Sequence, residues 1–320
     1  MLIQTPSERF STPDAAGRPE TNYSTKLVSI PCPDGFVVQG TLHCHCAHRK
    51  TVVIIHPATA VPERIYWPFA KYLAENGFTV VTHNYRGVGS DSSMPKTKQY
   101  RMRDWADLDA ASVLAWAELN YPGSNICAVG HSFGGHAIGL YSQQYQVSAA
   151  VLVASHAGSM RLIQPAHERF RAWFLLRVFC PALVAMLGYL PGRRLGLGED
   201  LSAGILKEWS AWTRLRNYFF DDPTLDAANR FAGYEGPLLS IGFDDDPLAT
   251  PDAISLLLSY FRRAAIERHQ ISPTELGSKK IGHMGFFREA NRATLWPTVA
   301  AWIGRQTLTS NNVVCAREDT

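Results

Sequence analysis

The chain has 320 residues, of which 46% are hydrophobic and 18% are charged, and its formal net charge is +3. This composition is typical of a globular protein and excludes a disordered chain, and the length allows one large domain or a domain with an insertion. The net charge is small and the basic residues are scattered, which argues against a nucleic-acid partner.

The cysteines and the N-terminus point to a reducing compartment. Six cysteines occur without the number or spacing of a disulfide framework. The polar N-terminal stretch contains Pro6 and Pro13 and lacks the apolar segment of a signal peptide. We therefore expect a cytoplasmic protein with reduced thiols.

The first half of the chain alternates strands with helices. After a mobile tail at 1–25, a hairpin is predicted from strands at 26–30 and 36–42 around Pro33-Asp34-Gly35. Further strands are predicted at 51–55, 78–82, 126–129 and 149–153, with helices at 63–76 and 104–119 between them. This alternation predicts a mostly parallel central sheet flanked by helices, an α/β fold.

The alternation stops between residues 155 and 235, and we interpret this segment as an inserted helical cap. The core is then 26–154 and 236–308, since a strand is predicted again at 237–242, and a C-terminal tail follows at 309–320. Within the cap, residues 172–190 are nearly long and apolar enough to span a bilayer. Arg177 and Pro181 interrupt this stretch, so contact with a membrane surface or a lid over a hydrophobic substrate explains it better than a span.

The segment Gly130-His131-Ser132-Phe133-Gly134 lies between the strand at 126–129 and a segment that can start a helix. A serine at such a turn is typical of the nucleophile elbow of α/β-hydrolases, in which a strained backbone holds the hydroxyl clear of the sheet. Glycine is needed at 130 and 134 because side chains would clash where strand and helix cross. We predict that Ser132 is a nucleophile.

A serine nucleophile needs a base, and the elbow arrangement places an acid and then a histidine later in the chain. Two histidines follow residue 240. His269 lies in a predicted strand and is interpreted as structural. His283 lies in a loop, from which a catalytic side chain can reach the serine, and it is the predicted general base.

The acid is expected after the strand at 237–242, where three aspartates stand in a row. We favour Asp246, because Asp246-Pro247 has turn character, and Asp245 is the next candidate. Asp244 is then a solvated loop carboxylate. The acid would hold the His283 tautomer and stabilise the imidazolium that forms.

Backbone amides are predicted to stabilise the oxyanion. One is the N–H of Phe133, directly after the nucleophile, and the other comes from the loop after the strand at 51–55. Pro57 has no N–H, so Ala58 or Thr59 must supply the second donor.

No metal or cofactor is predicted. The segment 43–48 is rich in histidine and cysteine, but alternation along a strand sends His43 and His45 to one face and Cys44 and Cys46 to the other. Four ligands would not converge there without a bend.

The elbow, Tyr85-Arg86-Gly87-Val88-Gly89, the aspartate cluster and Gly282-His283-Met284-Gly285 together resemble the serine-aminopeptidase-like branch of the α/β-hydrolases, in particular a bacterial group of predicted hydrolases. The resemblance covers about 26 to 305 and implies Ser132 as nucleophile, His283 as base and an aspartate as acid. The chain departs from it at His56-Pro57, where many relatives have His-Gly, and at Asn84, where many have Asp.

These observations predict a serine hydrolase that cleaves an ester, thioester or amide acyl bond through an acyl-enzyme. The apolar cap favours a hydrophobic small-molecule substrate, as for a carboxylesterase or lipase, over a charged peptide. Two alternatives stay open, an acyltransferase with the same triad and a binding module without catalysis. The sequence indicates no oligomeric state.

Overall fold

The computed structural model describes residues 23–45, 50–89, 99–141 and 147–315. Its strands are β1 (Tyr23–Pro31), β2 (Val37–His45), β3 (Thr51–His56), β4 (Thr79–His83), β5 (Asn125–His131), β6 (Ala149–Val153), β7 (Tyr189–Leu190), β8 (Leu201–Ser202), β9 (Pro237–Phe243) and β10 (Ala265–Ile271). Eight of them form one sheet in the order β1-β2-β4-β3-β5-β6-β9-β10. Only the β1–β2 and β2–β4 pairs of that sheet are antiparallel, which confirms the predicted mostly parallel sheet.

The helices are α1 (Trp67–Glu75), α2 (102–120), α3 (Phe133–Tyr141), α4 (Ala166–Leu187), α5 (Gly192–Leu195), α6 (Ala203–Trp212), α7 (Ala227–Ala232), α8 (Pro251–Leu258) and α9 (Trp296–Cys315). Single 3₁₀ turns occupy Glu63–Tyr66, Met160–Leu162, Tyr218–Asp221, Pro273–Leu276, Gly285–Phe287 and Glu289–Asn291. Helix α1 packs on α9 through Phe69 and Trp296, and α2 packs on α3 through Trp105 and Phe133. Helices therefore flank the sheet, as predicted.

The central strands form the core because their sequences are apolar on both faces. Every residue of β3, β4 and β6 is buried, including Val52, Val53, Ile54 and Ile55 of β3. Each fully buried aliphatic side chain of this size contributes about 1.5–3 kcal/mol relative to an exposed one.

The strand register brings four loops to one edge of the sheet. In β3 and β5, His56 lies opposite Gly130, and in β5 and β6, His131 lies opposite Val153. Val153 in turn lies opposite Ile241 of β9. Because these strands are parallel, their carboxyl ends meet at this edge, where open α/β sheets bind their ligands.

Residues 155–235, between β6 and β9, contain α4 to α7. They also contain the short antiparallel pair of β7 and β8, which the sequence did not predict. Two-residue strands are too short to show an alternating pattern. The assignment of this segment as a separate cap stays a prediction.

Elements of the structure extend into both predicted tails. Strand β1 begins at Tyr23, which pairs with His45, so only residues 1–22 of the predicted N-terminal tail lie outside the described residues. Helix α9 continues to Cys315, and residues 316–320 lie outside them. In β1 the main-chain pairing with β2 extends the strand past its apolar residues.

Candidate active site

Ser132 lies at the turn between β5 and α3, with a positive φ of 51°. Its N–H donates to the carbonyl of Val153 at 2.9 Å, so the residue is still held against β6. A Cβ at Gly130 would lie 2.4 Å from the nitrogen of Gly135, and a Cβ at Gly134 would lie 2.1 Å from the carbonyl oxygen of His56. No side chain fits at either glycine, which explains the spacing of the motif. A left-handed serine is a strained conformation of the kind found at functional sites.

His283 and Asp246 form a hydrogen-bonded pair. The distance from His283 Nδ1 to Asp246 Oδ2 is 2.6 Å, and the carboxylate is buried. Asp246 Oδ1 also accepts the N–H groups of Leu248 at 2.9 Å and Ala249 at 3.1 Å. Burial alone would raise the pKa of Asp246, but the charge and hydrogen bond of His283 outweigh it and lower the pKa to about 2. An ionised carboxylate only accepts, so the neutral form of His283 carries its proton on Nδ1 and keeps a lone pair on Nε2.

The two neighbouring aspartates make different contacts. Asp245 accepts the N–H groups of Ile281 at 2.8 Å and Gly282 at 2.9 Å, directly before His283. Asp244 accepts from the side chain of Gln270 at 3.0 Å. Asp246 therefore contacts the imidazole, and Asp245 holds the loop that carries it.

No hydrogen bond joins Ser132 Oγ to His283 among the described residues. His283 is nevertheless held beside the elbow, because its carbonyl accepts the Nε2–H of His131 at 2.8 Å. The rings of His131 and His283 are 5.3 Å apart, and the His283 side chain is 18% exposed. Ser132 itself is 8% exposed. Catalytic hydrogen bonds are often long or misaligned before a substrate binds, so this geometry does not exclude proton transfer.

The predicted oxyanion donors have different surroundings. Phe133 is the first residue of α3, where helical N–H groups have no partner within the helix. The amide of Ala58 instead donates to the hydroxyl of Tyr66 at 2.8 Å, which favours Thr59 over Ala58 as the second donor. The amide of Thr59 makes no hydrogen bond within the described residues. Glu199 holds this loop in place, donating its N–H to the carbonyl of Ala60 at 2.9 Å.

Tyr66 and His131 link the oxyanion loop to the histidine loop, and the sequence did not predict this connection. Because a carbonyl only accepts, the His131 bond to His283 puts the proton on Nε2 and leaves Nδ1 as an acceptor. The Tyr66 hydroxyl then donates to His131 Nδ1, at 2.8 Å, while accepting from Ala58. Burial and the charge of His283 lower the pKa of His131 to about 3, so the ring stays neutral. The only local sign of these hydrogen bonds in the sequence is a polar residue directly before the nucleophile.

Comparison with known proteins shows the family of this chain. The model of the alpha/beta hydrolase family matches residues 52–295. The chain belongs to the alpha/beta hydrolase family. A search of curated proteins for sequence relatives finds no match.

Solved structures share the alpha/beta hydrolase fold at low sequence identity. An esterase from Pyrococcus furiosus has a TM-score of 0.62 and 14% identity, with 90% of this chain and 93% of that chain covered. An alpha/beta hydrolase from Penicillium has a TM-score of 0.59 and 18% identity over 89% and 99%. A Butyrivibrio proteoclasticus protein with ferulic acid bound has a TM-score of 0.57 and 15% identity over 87% and 98%.

Two further imidazoles lie at the site of this alpha/beta hydrolase. The ring of His156, in the loop after β6, is 5.5 Å from that of His283. His156 Nδ1 donates to the carbonyl of Ala154 at 3.1 Å, and its own carbonyl accepts from His136 Nε2 at 2.7 Å. Burial lowers the pKa of His156 to about 4 and that of His136 to about 3, so both stay neutral near pH 7. Neither of them was predicted from the sequence as a residue of the site.

The loop after β4, which contains the motif at residues 85–89, is held by buried polar pairs. Asn84 and Glu63 bond reciprocally, from Glu63 N–H to Asn84 Oδ1 at 2.9 Å and from Asn84 Nδ2 to Glu63 Oε1 at 3.2 Å. Arg86 forms an ion pair with Asp109 at 2.7 Å. Many relatives in the family that the sequence resembles have Asp at this position. Asn84 supports the loop without placing a second carboxylate beside Glu63.

Two further histidines of the described residues make structural contacts. His43 bonds Tyr23 at 2.7 Å and Thr82 at 3.2 Å, and His269 bonds Glu267 at 2.8 Å. Within the described ranges, no three His, Cys, Asp or Glu side chains are grouped to hold a metal ion. Residues 46–49, the rest of the ligand-rich stretch, lie outside those ranges. Four cysteines in the described part of the chain, at positions 32, 44, 127 and 180, are free thiols.

Proposed function

We propose that this alpha/beta hydrolase is a serine hydrolase that cleaves an ester, thioester or amide through an acyl-enzyme. The observation that carries the proposal is the 2.6 Å bond of His283 Nδ1 to the buried Asp246, at the same edge of the sheet as the left-handed Ser132. An imidazole oriented by a carboxylate beside a strained serine is the arrangement that activates a hydroxyl.

In the proposed reaction, Ser132 Oγ attacks the acyl carbonyl and its proton passes to His283 Nε2. The oxyanion accepts the N–H groups of Phe133 and Thr59, and one such donor is typically worth about 3 kcal/mol of barrier. When the carbonyl re-forms, the leaving group takes the proton from His283 and departs. His283 then removes a proton from water, which attacks the acyl-enzyme. As the acid leaves, the same proton passes from His283 to Ser132 Oγ and restores the free enzyme. Throughout, Asp246 stays ionised and stabilises the imidazolium.

We propose a hydrophobic small molecule as substrate and a place in the serine-aminopeptidase-like branch, with carboxylesterase or lipase activity favoured over peptidase activity. Tyr218 and Phe219, from the segment between β6 and β9, pack on His136 with ring separations of 5.5 and 5.0 Å. Both rings are buried, so this side of the site is apolar, and an uncharged acyl group is favoured because burying a charge without a partner is costly. The likeness to an esterase from Pyrococcus furiosus agrees with this choice.

A second candidate is a binding module without catalysis. It is favoured by the missing hydrogen bond from Ser132 Oγ among the described residues. For catalysis, a rotation about the Cα–Cβ bond of Ser132 is the smallest change that would turn the hydroxyl towards His283. A chemical probe of serine reactivity therefore distinguishes the two candidates.

The test is labelling by a fluorophosphonate, which reacts only with an activated serine. We expect wild type and the exposed-serine control Ser259→Ala to be labelled, and Ser132→Ala to remain unlabelled. Folded wild type that resists labelling would instead identify the binding module. Hydrolysis of p-nitrophenyl acyl esters, compared with charged peptides, tests the substrate class, and faster turnover of the peptides would contradict it.

A further inference from the structure

Helix α4 (Ala166–Leu187) presents a large apolar surface. It is the one helix of the described residues that is long and apolar enough to cross a membrane, yet only 11% of its most apolar stretch is buried. A core helix of this composition would be mostly buried. Its exposed large side chains, which we call the outer face, are Phe170, Trp173, Phe174, Val178, Met186 and Leu187. An exposed patch of this size and composition marks an interaction site.

The opposite side of α4 is already occupied. Leu176 and Cys180 are buried. The Arg177 guanidinium donates to Ser210 Oγ at 2.8 Å and to Thr213 Oγ1 at 3.0 Å, both at the end of α6. These contacts hold α4 against the end of α6. They favour lateral contact of the outer face over a membrane span, because a span would have to break them and bury the arginine in hydrocarbon.

The chain around α4 is basic. Residues 160–216 contain nine Lys and Arg against four Asp and Glu. Each of the four acids is paired with an arginine: Glu168 with Arg171, Glu199 and Asp200 with Arg193, and Glu208 with Arg103.

Three further arginines, Arg161, Arg214 and Arg216, have no acidic partner in the part of the chain that the structure describes. Arg161 Nε donates to the carbonyl of Arg216 at 3.0 Å, which brings these segments together. Thr213, which accepts from Arg177 of α4 at 3.0 Å, directly precedes Arg214, so Arg214 also lies near α4. Burial and the charge of Arg214 both lower the pKa of Arg177. The positive charge of this basic cluster is therefore not neutralised by acidic side chains of the described residues, and it lies beside the apolar helix.

We propose that the outer face of α4 docks on an anionic lipid surface, with the aromatic side chains in the interface and Arg161, Arg214 and Arg216 facing the lipid headgroups. Peripheral attachment usually needs two signals, and an apolar face with a basic cluster supplies both. Tryptophan and phenylalanine suit the boundary between headgroups and acyl chains. A second copy of the chain fits less well, because a two-fold interface on this face would bring two arginine clusters towards each other. The proposal does not depend on the proposed hydrolase activity.

The test is co-sedimentation with vesicles of phosphatidylcholine, with and without phosphatidylserine. We expect the wild-type protein to bind the mixed vesicles, to bind the neutral ones more weakly, and to be released by high salt. The double variant Phe170→Ser/Met186→Ser should bind at least tenfold more weakly. Its matched control is Leu27→Ser/Leu119→Ser, since Leu27 and Leu119 are 79% and 80% exposed, as Phe170 and Met186 are 66% and 79%.

The charge variant Arg214→Gln/Arg216→Gln should lose about fivefold in binding for each arginine, whereas Lys26→Gln/Arg262→Gln should bind as wild type does. Circular dichroism checks that every variant is folded. The proposal is wrong if wild type binds neither kind of vesicle. It is also wrong if the control variants lose as much binding as the test variants. A wild-type dimer that Phe170→Ser/Met186→Ser converts to monomer, without vesicle binding, would show that a second copy covers this face.

Discussion

Replacing Asp246 with Asn separates the charge of this side chain from its shape. Asp246 Oδ1 accepts two backbone amides and Oδ2 accepts from His283 Nδ1 at 2.6 Å. The carbonyl oxygen of Asn can keep the two amides, which turns its NH₂ group towards the imidazole. His283 Nδ1 must then accept, so the proton moves to Nε2. We expect a folded protein whose imidazole cannot take the proton of Ser132.

The structure gives a scale for this effect. The pKa of Asp246 is lowered from 3.8 to about 2, which corresponds to about 2 kcal/mol of net stabilisation of the carboxylate. Loss of that charge interaction alone would slow the reaction by roughly 30-fold. The wrong tautomer adds to this loss, so we expect a total decrease in kcat of about 10⁴-fold.

The assay is the hydrolysis of a p-nitrophenyl acyl ester by wild type, Asp246→Asn and the control Asp245→Asn. Asp245 holds the amides of Ile281 and Gly282 and does not contact the ring, so its variant should lose about tenfold or less. A loss below 30-fold in Asp246→Asn would refute the tautomer argument. Equal losses in the two variants would show that the aspartates support only the loop.

Three further outcomes are expected from urea unfolding. Tyr66→Phe removes the acceptor of the buried Ala58 amide and should lower the free energy of unfolding by about 1–3 kcal/mol, and an unchanged midpoint would contradict this. Burial raises the pKa of Glu63, and Asn84→Asp would add a second carboxylate beside it. Because both carboxylates are ionised at about pH 8, the variant should lose more free energy of unfolding there than at about pH 5. An equal loss at both pH values would argue against the contact. The pKa of Asp246 is lowered in the folded protein, so its ionised form stabilises the wild type above about pH 4 and loses that effect as the pH falls towards 2. The difference in free energy of unfolding between wild type and Asp246→Asn should therefore narrow over this range. A constant difference would show that the pair is not ionised.

The elbow could be predicted because its determinants are local. An apolar strand, a serine and glycines at fixed spacing are read within ten residues, and the structure places Ser132 at a left-handed turn between β5 and α3. His283 was found through chain order, since only two histidines follow residue 240. The roles of both residues remain proposals.

The choice between Asp245 and Asp246 needed the three-dimensional structure to show their contacts. Neighbouring side chains leave the backbone in different directions, and the loop after β9 turns Asp246 to the imidazole and Asp245 to the backbone of the next loop. The contact of Ala58 could not be predicted for a similar reason. Its amide meets the hydroxyl of Tyr66, and nothing in the sequence of either segment signals this bond.

The sequence alone determined the alternation of strands and helices, the position of the strained serine and the apolar character of the stretch that became α4. Periodicity and steric need act over a few residues, so they are visible in one dimension. The tertiary structure decided which carboxylate meets His283, that Tyr66 and His131 join two loops, and that α4 shows its apolar side to the outside. These features arise from contacts between segments far apart in the chain, whose approach is set by the strand register and packing.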